Sequence, residues 1–405
     1  MLFALYSLLF TLEKMKHWKT YIERQKPEYL RTIIPPDTAA DMVVVIPCYN
    51  EPDLLETLYN LSICDRPDAN VLTVIVINSG LFAGNEVVTQ NRGSFERISL
   101  FAERYNESGF GFFPLLFEDL PRKHAGVGLA RKIGMDLAVE HFLRNEKTRG
   151  IIISLDADCT VSPNFLTTIW GAFSRDKSLN STIHDFRHRV EEDGPLTESA
   201  ARQYEAYIRY FRSMLEYIGF PYYWHTIGSA FAVSADAYVR VGGMGRQQGG
   251  EDFYFLQKIF ALGNIRDLKE TRVFPMARLS DRVPFGTGPS LQKIMDEPAG
   301  SERAYSERSF RELRQLFDRI DDFRGKDAQS VENITATLHP SLQQFLKEID
   351  FQVLIRDCNE NSASPITFRK RFFHHFNAFR IIKYLNQVHP DPFPYEDFMM
   401  LIDKY

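Results

Sequence analysis

Met42-Val-Val-Val-Ile-Pro-Cys-Tyr-Asn-Glu51 is the stretch that decides how this chain folds. Its apolar run, closed by Pro47, is typical of a parallel strand that is buried on both faces. Similar runs return at Val71–Ile77, Pro114–Phe117 and Gly150–Leu155. Helical spacing separates these runs, at Leu54–Leu61, Phe95–Asn106 and Val127–Arg144. Alternating strands and helices predict a doubly wound, mostly parallel sheet with its functional edge at the carboxyl ends of the strands.

The pattern after residue 160 is less regular. Two helices are predicted at Ser199–Tyr217 and Phe253–Leu262, and two strands at Ser229–Val233 and Thr271–Met276. From Leu291 to Tyr405 the periodicity is helical, and no strand is predicted there. We therefore expect three segments: an N-terminal helical segment with a linker (1–40), an α/β domain (41–290) and a C-terminal helical region (291–405).

The composition excludes several classes of protein. Of the 405 residues, 44% are hydrophobic and 25% are charged, which is typical of a globular chain rather than a disordered or fibrous one. The chain has 48 Lys and Arg against 53 Asp and Glu, a net charge of −5. This negative net charge argues against a nucleic-acid polymer as partner, because binding the phosphate backbone needs a basic surface. None of the four cysteines has C-x-x-C spacing, so we expect reduced thiols and a cytoplasmic protein.

The apolar run Met1–Leu12 is too short to cross a bilayer, which takes about 20 residues. It also lacks the basic start and the small-residue cleavage pattern of a signal peptide. Two interpretations remain open. The run either belongs to a helix that packs on the main domain, or lies on the inner face of a membrane as a peripheral contact through residues 1–19.

Two of the polar motifs follow predicted strands. Ile46–Glu51 leaves backbone N–H groups and polar side chains at the edge where open α/β folds bind nucleotides. Asp156-Ala-Asp158 follows the buried run that ends at Leu155. Two carboxylates at this spacing can face one cation, and hard oxygen ligands suit Mg²⁺ or Mn²⁺. The first motif could instead be an ordinary strand–helix turn, and the second could be two solvated loop acids.

Two further motifs contain glycines beside helix starts. In Gly249-Gly-Glu-Asp252, the acids begin the predicted helix, where the helix dipole favours the charged form, so one of them suits the role of general base. Simple capping of the helix is the alternative. In Gly126–Gly134, Arg131 and Lys132 lie within the first turns of a helix and could meet a diphosphate.

Taken in order, these motifs resemble the family 2 glycosyltransferases of the GT-A fold over about residues 41–290. The resemblance rests on Val-Val-Val-Ile-Pro-Cys-Tyr-Asn-Glu51, Gly128-Leu-Ala-Arg-Lys-Ile-Gly134, Leu155-Asp-Ala-Asp158 and Gly249-Gly-Glu-Asp252. Trp224-His-Thr-Ile-Gly-Ser-Ala230 also resembles the family segment under the donor sugar. The implied fold is a Rossmann-like, mostly parallel central sheet flanked by helices, with an N-terminal helix and a C-terminal helical extension.

The resemblance implies a hexosyltransferase that moves a sugar from a nucleotide diphosphate, UDP favoured, to a hydroxyl of a glycan or lipid-linked glycan, as in polysaccharide biosynthesis. Asp252, or otherwise Glu251, would be the base of an inverting displacement. Asp158, with Asp156, would hold Mn²⁺ or Mg²⁺. The residues implied to bind the donor are Pro47, Tyr49, Glu51, Asn78, Arg131, Asp156, Gly228, Ser229 and Gly250.

The sequence departs from the family pattern in several places. Asn78 stands where the family usually has Asp, although its amide could pair with a uracil edge. The stretch Val273–Arg282 contains no His to complete a metal site; Asp281 could substitute, and His225 is a weaker candidate. The QxxRW signature of processive synthases is absent. The segment 281–289 looks like a mobile lid, and Arg278 or Arg282 could neutralise the leaving diphosphate. A structural loop between the domain and the helical tail is the alternative.

Two other functions fit parts of the sequence. Asp156-Ala-Asp-Cys-Thr160 matches the D-x-D-x-T signature of haloacid dehalogenase-like phosphatases, in which the first Asp is a nucleophile. A non-catalytic protein that binds sugar nucleotides is the second alternative. The acceptor is expected to bind at the irregular region 180–225 and the C-terminal helices.

Aromatic residues are abundant in this sequence, and we expect most of them to lie in the core.

Overall fold

The computed structural model describes residues 2–25, 29–30, 34, 39–190, 195–279, 286–296 and 303–397. The helices are α1 (Leu2–Glu23), α2 (Leu54–Ser62), α3 (Asn85–Tyr105), α4 (Val127–Arg144), α5 (Phe165–Arg175), α6 (Pro195–Tyr217), α7 (Ala235–Arg240), α8 (Glu251–Phe260), α9 (Thr287–Asp296), α10 (Glu307–Asp318), α11 (Ala328–Thr335), α12 (Pro340–Glu348), α13 (Phe351–Glu360), α14 (Pro365–His375) and α15 (Ala378–Gln387), with a 3-10 turn at Ile320–Phe323. The strands are β1 (Met42–Cys48), β2 (Val71–Gly80), β3 (Phe110–Leu120), β4 (Ile151–Ser154), β5 (Thr160–Val161), β6 (Ser181–Phe186), β7 (Arg189–Val190), β8 (Phe231–Ser234), β9 (Ile265–Phe274), β10 (Met276–Ala277), β11 (Arg303–Ala304) and β12 (Glu396–Asp397).

A central eight-stranded sheet has the strand order β3-β2-β1-β4-β8-β6-β9-β5. The pairs β3/β2, β2/β1, β1/β4 and β6/β9 are parallel, while β8 is antiparallel to both its neighbours and β5 is antiparallel to β9. Every residue of β1 is buried, as its unbroken apolar run predicts. The predicted fold class is confirmed: a mostly parallel central sheet flanked by helices, with an N-terminal helix and a C-terminal helical region.

The chain divides into two compact units. The first comprises 1–197 and 226–290, and the second comprises 198–225 and 291–405. The sheet and all four polar motifs lie in the first unit. The domain boundaries predicted at residues 40 and 290 stay a prediction.

Some elements differ from those that the sequence predicts. β6 was not expected, because Ser181, Thr182 and His184 are polar; they are nonetheless buried and hydrogen-bonded, with Ser181 Oγ 2.7 Å from the Ala232 carbonyl oxygen. α5 was not predicted either. α3 begins at Asn85, ahead of the predicted Phe95, and β9 begins at Ile265 instead of Thr271 because its exposed positions are polar. Of the predicted lid, 281–285 lie outside the described residues, and 287–289 begin α9.

The second half of α1 packs on α4 within the first unit, as one of the two interpretations predicts. Trp18 is fully buried. Tyr21 donates a 2.6 Å hydrogen bond to Asp136 on α4, which also lies 2.8 Å from Lys132 Nζ. Gly243, with φ +74°, leaves room for Tyr21, since a Cβ there would come within 1.9 Å of its hydroxyl. None of the described helices is long and apolar enough to cross a membrane, and a peripheral contact through residues 1–19 stays a prediction.

The second unit is built around an aromatic core. Phe317 contacts Phe372, Phe373 and Phe376 edge-on, with ring centroids 5.1 to 6.0 Å apart. All four rings are buried, whereas the neighbouring Phe379 is 47% exposed. The aromatic group of the C-terminal helices is therefore mostly core, as expected.

Candidate active site

The polar motifs meet at one edge of the sheet in the first unit. Glu51 follows β1, Asp156 and Asp158 follow β4, and Asp252 lies in the first turn of α8. Arg131 reaches the same place from α4. The parallel order β2-β1-β4 brings the carboxyl ends of these strands together, which is the usual binding edge of an open α/β sheet.

Arg131 is the centre of the carboxylate cluster and is only 2% exposed. Its Nη2 donates a 2.6 Å hydrogen bond to Asp156 Oδ1, and its Nη1 donates to Glu251 Oε1. Burial alone would lower the pKa of this guanidinium, but the carboxylates of Asp156, Glu251 and Asp252 outweigh it and raise that pKa. Arg131 is thus a fixed charge that holds two acidic motifs together.

The approach of α4 to the acidic loop depends on Gly128. A Cβ at this position would come within 2.1 Å of the Gln247 carbonyl oxygen and 3.1 Å of Glu251 Cγ. Glycine therefore allows a contact that brings Arg131 within reach of Glu251. The second basic residue of the motif does not share this role: Lys132 pairs with Asp136 and Tyr21 instead.

Asp252 lies in the first turn of α8. Its Oδ1 accepts a 2.7 Å hydrogen bond from the Phe253 backbone N–H at the start of α8. Burial, followed by repulsion from Glu251, raises the pKa of Asp252 to about 7, although Arg131 opposes the change. Burial therefore outweighs the helix dipole, which was expected to keep this carboxylate fully ionised. A Cβ on Gly228 would lie 3.0 Å from Asp252 Oδ2, so only glycine leaves that oxygen uncrowded.

A second arginine links the other two acids. Arg278 donates from both Nη atoms to Glu51, at 3.0 Å to Oε1 and in a shorter bond to Oε2, and its Nη2 lies 3.2 Å from Asp158 Oδ2. Glu51 is 2% exposed, whereas Arg278 and Asp158 are partly exposed. Burial and the neighbouring Asp156 raise the pKa of Asp158 to about 6.

The predicted metal ligands do not form an open cation site. Asp156 Oδ1 is bonded to Arg131, and Asp158 Oδ2 lies against Arg278. The other oxygen of Asp158 lies 3.6 Å from the Cys159 thiol. Asp281 lies outside the described residues, and His225 belongs to the second unit. The residues present therefore do not fit a divalent cation at Asp158, and the expected Mn²⁺ or Mg²⁺ is a prediction that the geometry does not support.

The remaining predicted donor residues differ in exposure. Tyr49 is 37% exposed beside the end of β1, whereas Pro47 lies buried within that strand. Asn78 is 1% exposed and donates a 2.8 Å hydrogen bond from Nδ2 to the Cys48 carbonyl; its Oδ1 has no hydrogen-bond partner within the described part of the chain. Ser229 is buried beside Cys159, and Gly250 takes φ +70° before α8.

One cationic residue of this edge was missed by sequence reasoning. Arg189 of β7 donates to Glu56 and, at 3.3 Å, from Nη2 to the backbone carbonyl of Asp158. Arg189 belongs to the irregular region 180–225, and nothing in the sequence pattern connects this arginine with the acidic motif.

No protein-family model and no curated protein matches the sequence. Among solved structures, residues 1–349 of TarS from S. aureus, crystallised with UDP-GlcNAc, align at 12% identity and a TM-score of 0.41, covering 83% of this chain and 92% of that chain. The mannosyltransferase PcManGT from Pyrobaculum calidifontis, in complex with GDP-Man and Mn²⁺, aligns at 15% identity and a TM-score of 0.38, covering 94% and 95%. Because identity and TM-score are both low, we base the function on the site itself.

Proposed function

We propose that this protein is a glycosyltransferase that moves a sugar from a nucleotide-diphosphate donor to a hydroxyl of a glycan or lipid-linked glycan. The observation that supports it is the convergence of four motifs, far apart in the chain, around two arginines at the carboxyl edge of the sheet. Such an edge binds nucleotides in open α/β folds. Carboxylates and cations in one partly buried cluster suit a transfer in which the leaving group departs as an anion.

Asp252 takes the proton of the acceptor hydroxyl as that oxygen attacks the anomeric carbon. The bond from this carbon to the diphosphate oxygen breaks, and the nucleoside diphosphate leaves with the electron pair. A pKa near 7 suits this base, because general-base catalysis is most effective when the pKa lies close to the working pH. A single displacement of this kind inverts the anomeric centre.

The two arginines have different parts in this scheme. Arg131 is buried and positions the carboxylates of Asp156 and Glu251 around Asp252. Arg278 is 25% exposed and offers positive charge to the leaving diphosphate. The unpartnered Asn78 Oδ1 supports a base that presents an N–H group, as uracil does, since a buried acceptor gains from such a donor.

The experiment is a panel of UDP- and GDP-sugars, tested first for binding and then for turnover. A ligand that binds only the folded chain stabilises it and so raises its melting temperature. At a ligand concentration one hundred times the dissociation constant, the gain in unfolding free energy is about 2.7 kcal/mol. We expect one class of base to raise the melting temperature and the same donor to release nucleoside diphosphate when a hydroxyl acceptor is added. The proposal fails if no sugar nucleotide changes the melting temperature and none is consumed.

The same panel separates the two alternatives. Binding without turnover would favour a non-catalytic sugar-nucleotide-binding protein. Release of inorganic phosphate without any sugar acceptor would favour the D-x-D-x-T phosphohydrolase, in which Asp156 would be the nucleophile. In the structure Asp156 is held by Arg131, and no observation favours this second activity.

A further inference from the structure

We propose that Arg278 supplies, from the protein itself, the positive charge that a divalent metal would provide beside Asp158, so that the donor binds without a metal ion. This inference rests on the proposed function for its substrate. The observation that carries it is the position of the guanidinium, which bonds both oxygens of Glu51 and lies 3.2 Å from Asp158 Oδ2.

Burial of Glu51 keeps Arg278 in this place. The Glu51 side chain is 2% exposed, and a buried carboxylate that loses its cationic partner is strongly destabilised. A metal ion at Asp158 would either displace the guanidinium from Glu51 or stand beside it and be repelled. Both carry a high free-energy cost, so the arginine is the resident cation of this site.

The backbone around Arg278 is also fixed. It follows β10, which pairs in parallel with β7 in the register Met276 to Arg189. Arg189 donates its backbone N–H to the Pro275 carbonyl at 2.7 Å, and its Nη2 reaches the Asp158 carbonyl at 3.3 Å. Two arginines from neighbouring segments thus reach Asp158: Arg278 lies against its carboxylate and Arg189 against its backbone carbonyl.

The test is a titration of the full chain with Mn²⁺ alone, read from the electron paramagnetic resonance signal of free Mn²⁺. The variants are Arg278→Gln and the charge-neutral pair Glu51→Gln with Arg278→Gln, which removes the unpaired carboxylate in case the single variant does not fold. Arg272→Gln is the matched control, because Arg272 also pairs with an aspartate, which is Asp185 and not Asp158. We expect at least one of the Arg278 variants to bind Mn²⁺ at least tenfold more tightly than the wild type, and the control to match the wild type. Wild-type binding as tight as that of every folded Arg278 variant would overturn the inference.

A second arm measures binding of UDP and GDP to the wild type by calorimetry, in EDTA and in Mn²⁺. We expect the affinity of the bound nucleotide to change by less than about twofold between the two conditions, and Arg278→Lys, which keeps the charge, to retain most of it. Nucleotide binding that appears only with Mn²⁺ would overturn the inference. If neither nucleotide binds in any condition, the proposed function fails, while the Mn²⁺ titration still decides whether Arg278 is the resident cation.

Discussion

At Asp252, two opposing effects set the chemistry. Burial and repulsion from the adjacent Glu251 favour the protonated carboxyl, while Arg131 favours the carboxylate. The balance places the pKa near 7 instead of the ordinary 3.8. The sequence shows that two acids begin this helix, but it does not show which of them bonds to Arg131, because that depends on a contact across 120 residues of chain.

This balance predicts how activity and stability depend on pH. Because the proposed base must lose its proton before it can act, kcat/KM should rise about tenfold per pH unit below pH 7 and level off above it. The folded state binds this proton more tightly than the unfolded state, so the contribution of Asp252 to stability falls as pH rises from about 4 to about 7. Rates and melting temperatures measured across this range check both statements. In Asp252→Asn the melting temperature should depend less on pH, and a wild-type kcat/KM that is flat from about pH 5 to about pH 8 would contradict the assignment.

At the scale of elements, the site depends on how α4 lies against the loop before α8. The helix predicted at Val127–Arg144 is confirmed at both ends, since its apolar spacing is regular. β1 and β2 could also be predicted, because strands buried on both faces are continuously apolar. β6 could not, because its side chains are largely polar although the strand is buried, and Ser181 bonds to the Ala232 carbonyl of a strand that is distant in sequence. The Arg278–Glu51 pair, 227 residues apart, has no local signal at all.

Gly128→Ala tests the contact between α4 and this loop. The new Cβ would collide with the Gln247 carbonyl oxygen, and overpacking of this kind typically costs about 1–3 kcal/mol of unfolding free energy. We also expect a loss of transfer activity, since Glu251 and Asp252 follow in the same segment. Gly84→Ala is the control, because nothing lies within 4 Å of its Cβ and its φ is −60°. Equal stabilities of the two variants in urea denaturation would contradict this account of α4.

At the scale of the whole molecule, each compact unit has its own core. The sequence predicts the α/β class, the helical C-terminal region and the aromatic core of that region, because all three follow from periodicity and composition. It does not predict that residues 198–225 belong with the C-terminal helices, since that grouping depends on contacts such as the 2.6 Å hydrogen bond from Tyr210 to the Tyr305 carbonyl.

The core of the second unit can be tested by substituting two phenylalanines that are close in sequence, Phe376 and Phe379. Phe376→Ala removes a fully buried ring that contacts Phe317 and Phe345, and such truncations cost about 3–5 kcal/mol. Phe379→Ala removes a ring that is 47% exposed and should cost about 0.5 kcal/mol or less. Chemical denaturation of both variants measures the difference. A Phe379→Ala variant as unstable as Phe376→Ala would show that the core is placed wrongly.

The central claim is that Asp252 is the base of a sugar transfer, and one paired measurement tests it most directly. Nucleoside diphosphate release and nucleotide binding are measured for the wild type, Asp252→Asn and the exposed control Asp318→Asn, with the donor that the panel selects. The account predicts that Asp252→Asn loses about 10²–10⁴-fold in rate while its affinity for the nucleotide stays within about threefold, and that the control keeps both. Near-normal turnover in Asp252→Asn would contradict the account.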